Sequence, residues 1–241
     1  MIKDSSNKFD FDNEKFVFVH IPKCGGTSLH KYFKEIFGSA YIHVVPNIDW
    51  KSQIGSVIAA GGHQPNGANP ICKLNENKKL IKFTTLREPL NRFVSYYKHI
   101  KSRPDHHVGK LEGYKKDFTL SQFAKFCIET KNKEFGNQMC KFVAGKNYEN
   151  LKLKEILEKF DNDFQLFCPT EYIDFYYKKL SKFFQKELLT VPRMRNVDRS
   201  NIFISEKEIE RTASIVYEYN FKDLRLYQYC TKKFIMENFI T

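Results

Sequence analysis

No apolar run among the 241 residues approaches the roughly 18 to 20 that a membrane helix requires, and mean hydropathy is −0.52. No membrane span is therefore expected. The opening segment, "MIKDSSNKFDFDNEKF", lacks the apolar centre of a signal peptide, so a cytoplasmic location is expected. Internal repeats and low-complexity linkers are missing too. The length suits one domain over 1–241 with one sizeable core, and residues 1–14 are expected to be a flexible N-terminal segment. No Cys-x-x-Cys pair and no histidine pair at metal-ligand spacing occurs. The six cysteines, Cys24, Cys72, Cys127, Cys140, Cys168 and Cys230, are therefore expected to be small core residues, with neither disulfides nor a metal site.

Charge of one sign is in surplus. With 40 basic and 28 acidic residues the formal net charge is +12. Such a surplus favours anionic partners: a nucleic acid, a membrane surface, a nucleotide or an acidic glycan. It does not choose among them, and part of it is compositional, since Lys, Asn, Ile and Phe are all abundant.

Periodicity gives an alternation of strands and helices. Strands are expected at 15–20, 40–45, 56–63, 80–89 and 163–172. Helices are expected at 26–38, ending on Gly38, and at 88–102, with Pro89 in its first turn. The polar stretch 103–117 reads as an exposed loop. Helical patterns follow at 119–130, 136–144, 150–160, 171–186, 205–219 and 221–230, with a basic loop at 191–200. The fold class is therefore α/β, layered, with a central, mainly parallel sheet flanked by helices. Ligands of such sheets bind beyond the C-terminal strand ends.

One seam of this kind is "FVFVHIPKCGGTSLHKYF", residues 16–33. A Gly-rich turn between strand and helix leaves backbone N–H groups converging on one concavity, and the helix dipole adds partial positive charge. That is a cradle for phosphate or sulfate. Gly25 and Gly26 let the backbone approach an anion, Thr27 and Ser28 add hydroxyls, and Lys23 adds a full charge. GxxxxGK[ST] is absent, so this is not the standard nucleotide triphosphatase loop. A second seam, "TLREPLNRFVSYYKH" at 85–99, sets Arg87 at a strand end, where a guanidinium can fork onto a phosphate. Ser95 lies on the following helix, three residues from Arg92 and on the same face.

"HIPKCGGTS" resembles the 5′-phosphosulfate loop of carbohydrate sulfotransferases, in the branch related to heparan sulfate 2-O-sulfotransferase and similar bacterial enzymes. The second seam is similar to that family's 3′-phosphate segment. The resemblance implies a P-loop-like three-layer fold. It also implies a 3′-phosphoadenosine-5′-phosphosulfate (PAPS) donor, adenosine 3′,5′-bisphosphate as product, no metal, and a hydroxyl of a carbohydrate or glycan as acceptor. The implied donor contacts are Lys23, Cys24, Gly25, Gly26, Thr27, Ser28, Arg87 and Ser95. Where the family pattern has Thr, this chain has Cys24, which keeps the backbone N–H and loses a hydroxyl.

Sulfuryl transfer, like phosphoryl transfer, relies on positioning and electrostatics. Lys23 can stabilise the oxygen that leaves with the nucleotide, and the acceptor hydroxyl needs a base. His63, on a Gly-flanked loop at a strand end, is the chosen base; a Gly-His at this place carries the base in related sugar sulfotransferases. His20 and Glu88 are rivals, though His20 is expected to be buried and Glu88 to cap a helix. His106 and His107 are set in the polar loop. "FGNQMCKFVAG" (135–145) resembles a family segment near the acceptor, which implies roles for Asn137 and Gln138. Arg193, Arg195 and Arg199 stand where relatives place a loop over the nucleotide, and "YEYNFKDLRLYQYC" (217–230) resembles the family's C-terminal end.

Two other classes stay open on the sequence. One is a kinase-like P-loop transferase, disfavoured by the missing GxxxxGK[ST] and the lack of an obvious magnesium carboxylate. The other is a basic nucleic-acid- or polyanion-binding protein, for which no RNA- or DNA-binding motif speaks, so no nucleic-acid partner is expected. Peripheral contact with a membrane, the oligomeric state and the acceptor itself are not legible.

Overall fold

The computed structural model describes residues 8–45, 56–73, 77–103, 105–187 and 202–240. The apolar run before the first turn forms β1 (Glu14–Val19), buried on both faces. It is the middle strand of a five-stranded sheet completed by β2 (Tyr41–Val44), β3 (Ala59–Gly62), β4 (Lys79–Leu86) and β5 (Leu166–Pro169), in the order β2-β3-β1-β4-β5. All four pairings are parallel. A strand covered on both faces has no solvent side to alternate with, which is why "FVFV" (16–19) is a continuous apolar run. The connection from β1 runs to β2 on one side of the sheet and that from its neighbour β4 runs to β5 on the other, so the two leave adjacent strand ends in opposite directions. A crevice opens there, beyond the C-terminal ends of the strands.

Helix α1 (Gly26–Phe37) follows β1 and lays Leu29, His30, Phe33, Ile36 and Phe37 on the core, a spacing that keeps one face inward. It stops at Gly38, whose φ of 57° takes the chain out of the helix. Helix α2 (Pro89–Lys101) follows β4. The Glu88 carboxylate caps it, accepting from the N–H groups of Leu90 and Asn91, the role expected of this residue. The remaining helices are α3 (Leu120–Glu129), α4 (Gln138–Ala144), α5 (Leu153–Asp163), α6 (Ile173–Phe184), α7 (Glu206–Tyr219) and α8 (Phe221–Phe239).

Apolar side chains of the sheet, α1, α4, α5, α6 and α8 make one large cluster, and those of α2, α3 and α7 make a smaller one. The N-terminal segment departs from expectation. From residue 8 onward it is fixed, because Phe9 is 1% exposed and meets the rings of Phe11, Phe16, Phe37, Phe183 and Phe184. Burial of such a ring contributes roughly 1.5–3 kcal/mol, enough to hold a short segment down. The basic loop with Arg193, Arg195 and Arg199 lies outside the described residues. Among the described residues no helix is long and apolar enough to cross a membrane, and all six cysteines are free thiols.

Candidate active site

The β1–α1 turn runs from Val19, the last residue of β1, to Gly26, the first of α1. Lys23 and Gly25 both adopt left-handed backbone, with φ of 69° and 82°. Gly25 takes that conformation without a Cβ penalty, whereas Lys23 holds it under tension from its surroundings. Two hydroxyls of β4 fix the turn from behind: Thr84 Oγ1 donates to the Val19 carbonyl at 2.9 Å and Thr85 Oγ1 to the Cys24 carbonyl at 2.7 Å. Arg87 donates to the Lys23 carbonyl at 3.3 Å, so the second seam braces the first. No side chain of the N-cap residue, Gly25, closes off the start of α1.

Cys24 stands apart from the other expected donor contacts. Its side chain is fully buried, and its N–H donates to the Ile21 carbonyl at 3.2 Å. That bond and the Thr85 bond engage its N–H and carbonyl, and Cys24 is not among the residues that line the cleft described below. Burial pushes its thiol up to about 12, so it is a neutral core residue.

The register of the sheet sets the histidines. Val19 pairs with Gly62, which makes the next residues, His20 and His63, neighbours at the strand ends. The His20 N–H donates to the Gly62 carbonyl at 3.1 Å, and the two rings lie 4.0 Å apart at 30°. His63 Nδ1 is 3.0 Å from the His20 carbonyl. A carbonyl can only accept, so Nδ1 carries the proton and Nε2 carries the lone pair. Partial burial among neighbouring imidazoles holds the His63 pKa below its usual value, against the upward pull of that hydrogen bond. His63 is thus a neutral imidazole at neutral pH with one basic nitrogen.

These residues share one cleft of about 1680 Å³ with Lys23, Gly25, Gly26, Thr27 and Ser28, and with Arg87 and Ser95 from the second seam. That exceeds the roughly 300–1,000 Å³ of a pocket for one small ligand, so there is room for two. Arg92, expected to share a face with Ser95, is 1% exposed and points inward. Its guanidinium donates to the Glu134 and Phe135 carbonyls at 3.3 and 2.7 Å, holding the segment that forms the far wall.

That wall is polar, and the sequence reading mostly missed it. Glu134 and Gln138 come to it with Lys131, Lys133 and Lys141. Gln138 Nε2 donates to the Lys133 and Gly136 carbonyls. Asn137 does not line the cleft: its side chain joins α4 to the C-terminal helices, donating to the Tyr219 carbonyl and accepting from the Asp223 N–H. His106 and His107 stand at the wall with Glu134, their ligand atoms within 4.8 Å of one another. This grouping was invisible to spacing rules because Glu134 is distant in sequence. His106 Nδ1 already accepts from the Val108 N–H.

The family model of the sulfotransferase family matches residues 7–230. A search of curated proteins gives no match. Among solved structures, a sulfotransferase from Alicyclobacillus acidocaldarius is similar at 11% identity, with 90% of this chain and 96% of that one covered and a TM-score of 0.48. Mouse sulfotransferase SULT7A1 complexed with PAP is similar at 15% identity, with 91% and 68% covered and a TM-score of 0.46.

Proposed function

The chain belongs to the sulfotransferase family, and from that premise we propose that it moves the sulfuryl group of PAPS to a hydroxyl of a carbohydrate or glycan. Sulfuryl transfer follows from the family; the donor and acceptor are our reading of the cleft. One observation carries it: the anion cradle, the Arg87–Ser95 seam and the neutral imidazole of His63 open on a single cleft.

When bound, PAPS supplies the sulfuryl group, whose S–O bond to the 5′-phosphate breaks as a bond to the acceptor oxygen forms. The N-terminal turn of α1, with Gly25, Gly26, Thr27 and Ser28, holds the 5′-phosphosulfate end through N–H groups and hydroxyls. Arg87 and Ser95 hold the 3′-phosphate, the guanidinium by a charge-assisted pair. Lys23, within the cradle, places a positive charge where the leaving oxygen gains negative charge. His63 Nε2 takes the acceptor's proton, while Nδ1–H stays on the His20 carbonyl and keeps the ring aimed. The broad lysine-rich far wall suits an acceptor carrying many hydroxyls or negative charges.

The test is transfer of label from PAPS to a panel of neutral and acidic glycans. Labelled glycan formed by the wild type and lost in His63→Ala supports the reading. No transfer to any hydroxyl acceptor, from a protein that binds adenosine 3′,5′-bisphosphate, would remove the carbohydrate assignment and leave the donor.

A further inference from the structure

His20 is 7% exposed, and the reaction as described assigns nothing to its side chain. It heads a chain of buried polar groups. His20 Nδ1 lies 3.0 Å from His30 Nε2, and His30 Nδ1 lies 2.5 Å from the Tyr41 hydroxyl. The imidazoles are both neutral: burial pushes His30 down to about 3, and burial with the neighbouring His63 lowers His20 well below the usual value. Two neutral rings and one hydroxyl can order their protons in two ways. In one, His20 donates to His30 and His30 to Tyr41, and the Tyr41 O–H then needs another acceptor. Tyr41 is 8% exposed, and the only partner found for its hydroxyl among the described residues is His30. A buried O–H left without an acceptor is disfavoured. The other order gives both protons inside the chain an acceptor: Tyr41 O–H donates to His30 Nδ1, His30 Nε2–H donates to His20 Nδ1, and the hydrogen left over sits on His20 Nε2, on the residue that lines the cleft.

That hydrogen has a defined destination. A Cβ on Gly26 would fall 1.9 Å from His20 Nε2, so this nitrogen sits directly over the first residue of α1. The centre of the same ring lies 4.0 Å from that of His63. His20 therefore lies between the phosphosulfate cradle and the base, where the transferring group has to pass, and it lines the cleft with both. A Cβ on Gly61 would fall 2.3 Å from the Tyr41 hydroxyl, so the Gly-Gly before His63 also makes room for the far end of the chain.

We propose that His20 is a catalytic residue, a neutral N–H donor to the sulfuryl oxygens, with His30 and Tyr41 as positioning residues that fix its tautomer. This rests on the sulfuryl-transfer reading given above. The two adjacent imidazoles then divide the labour: His63 offers a lone pair to the acceptor and His20 a hydrogen to the group being transferred. No proton leaves His20 during the reaction, so it returns unchanged to each cycle.

Long-range proton–nitrogen spectra of protein labelled with 15N-histidine test the tautomer directly. The proposal expects Nε2–H at His20 in the wild type at neutral pH, and a mixture of tautomers in Tyr41→Phe, where the hydroxyl that orders the chain is gone. Nδ1–H or an imidazolium at His20 in the wild type would overturn it. Turnover supplies the second arm. His20→Leu should lower kcat about 10²-fold, as for loss of one oxyanion donor, and His20→Gln, which keeps an N–H, should recover part of that loss. Affinity for adenosine 3′,5′-bisphosphate, which has no sulfuryl group, should stay within about twofold. Unchanged kcat in folded His20→Leu would overturn the contact. So would a loss of bisphosphate affinity with kcat retained, which would move the contact to the 5′-phosphate. If His20→Leu does not fold, the wild-type and Tyr41→Phe spectra still decide. Failure of the wild type to bind the bisphosphate or to transfer sulfate is a separate result, against the sulfuryl-transfer reading and not against the proton order.

Discussion

In the proposed reaction Lys23 and His63 carry the chemistry at the scale of single residues, and each should make a different failure when removed. Lys23→Ala should lower kcat about 10²- to 10³-fold, while affinity for adenosine 3′,5′-bisphosphate falls less, because the cradle N–H groups and Arg87 remain. Equal losses in both would make Lys23 a binding residue only. For His63 the sign of the pKa shift fixes the pH profile. The base works when neutral, and its pKa is lowered by burial. Activity should therefore be complete above the ordinary imidazole value of about 6.5 and fall only as pH drops below it. A plot of kcat/KM against pH, which reports the free enzyme, checks this; an acidic limb centred above pH 7 would exclude His63 as the group observed.

Elements position these residues, and two of the connections were not legible in the sequence. The seams themselves were: a both-sides-buried strand, a Gly-rich turn and an amphipathic helix each leave a local pattern, and 16–33 and 80–101 folded as read. What pins the cradle was not, because Thr84 and Thr85 are ordinary strand residues until β4 is placed beside β1. The assignment of Asn137 to the acceptor failed for the same reason, since its partners Tyr219 and Asp223 lie more than 80 residues away. α8 runs to Phe239, beyond the expected 230, because Leu226, Cys230 and Phe234 continue one buried stripe through a polar-looking tail. β3 covers only Ala59–Gly62, the four residues that pair with both β1 and β2.

The placement of α4 gives a test at this scale. Asp223 is fully buried and accepts from the N–H groups of Met139 and Cys140 at 2.9 and 2.8 Å, acting as a cap supplied by another helix. Asp223→Ala should cost about 1–2 kcal/mol, the usual cost of a lost cap, and lower Tm by about 2–8 °C for a chain of this size. Calorimetry that finds no change in Tm would show that the tie is not structural.

The molecule as a whole should be acid-sensitive for a reason located in the histidines. Burial holds His20 and His30 below the usual imidazole value in the folded state. In the unfolded chain both titrate near pH 6.5. Stability is then full above about pH 6.5 and is lost as pH falls toward the folded values, because the unfolded chain binds the extra protons. His30 alone, at about 3 in the fold, contributes a loss of ~2 kcal/mol between pH 6.5 and pH 5. Chemical denaturation at several pH values should show that slope, and it should flatten in His30→Gln.

The +12 net charge pointed at anions without choosing one; the proposed nucleotide rests on where the charge and the N–H groups converge. Isothermal titration of adenosine 3′,5′-bisphosphate into the wild type and Arg87→Ala asks most directly whether the two seams grip one nucleotide. The account predicts one site per chain with a Kd in the micromolar range or tighter, about −8 kcal/mol, weakened about 10- to 100-fold in Arg87→Ala by loss of a charge-assisted contact. No binding heat from the wild type, or an Arg87→Ala affinity equal to it, would contradict the account.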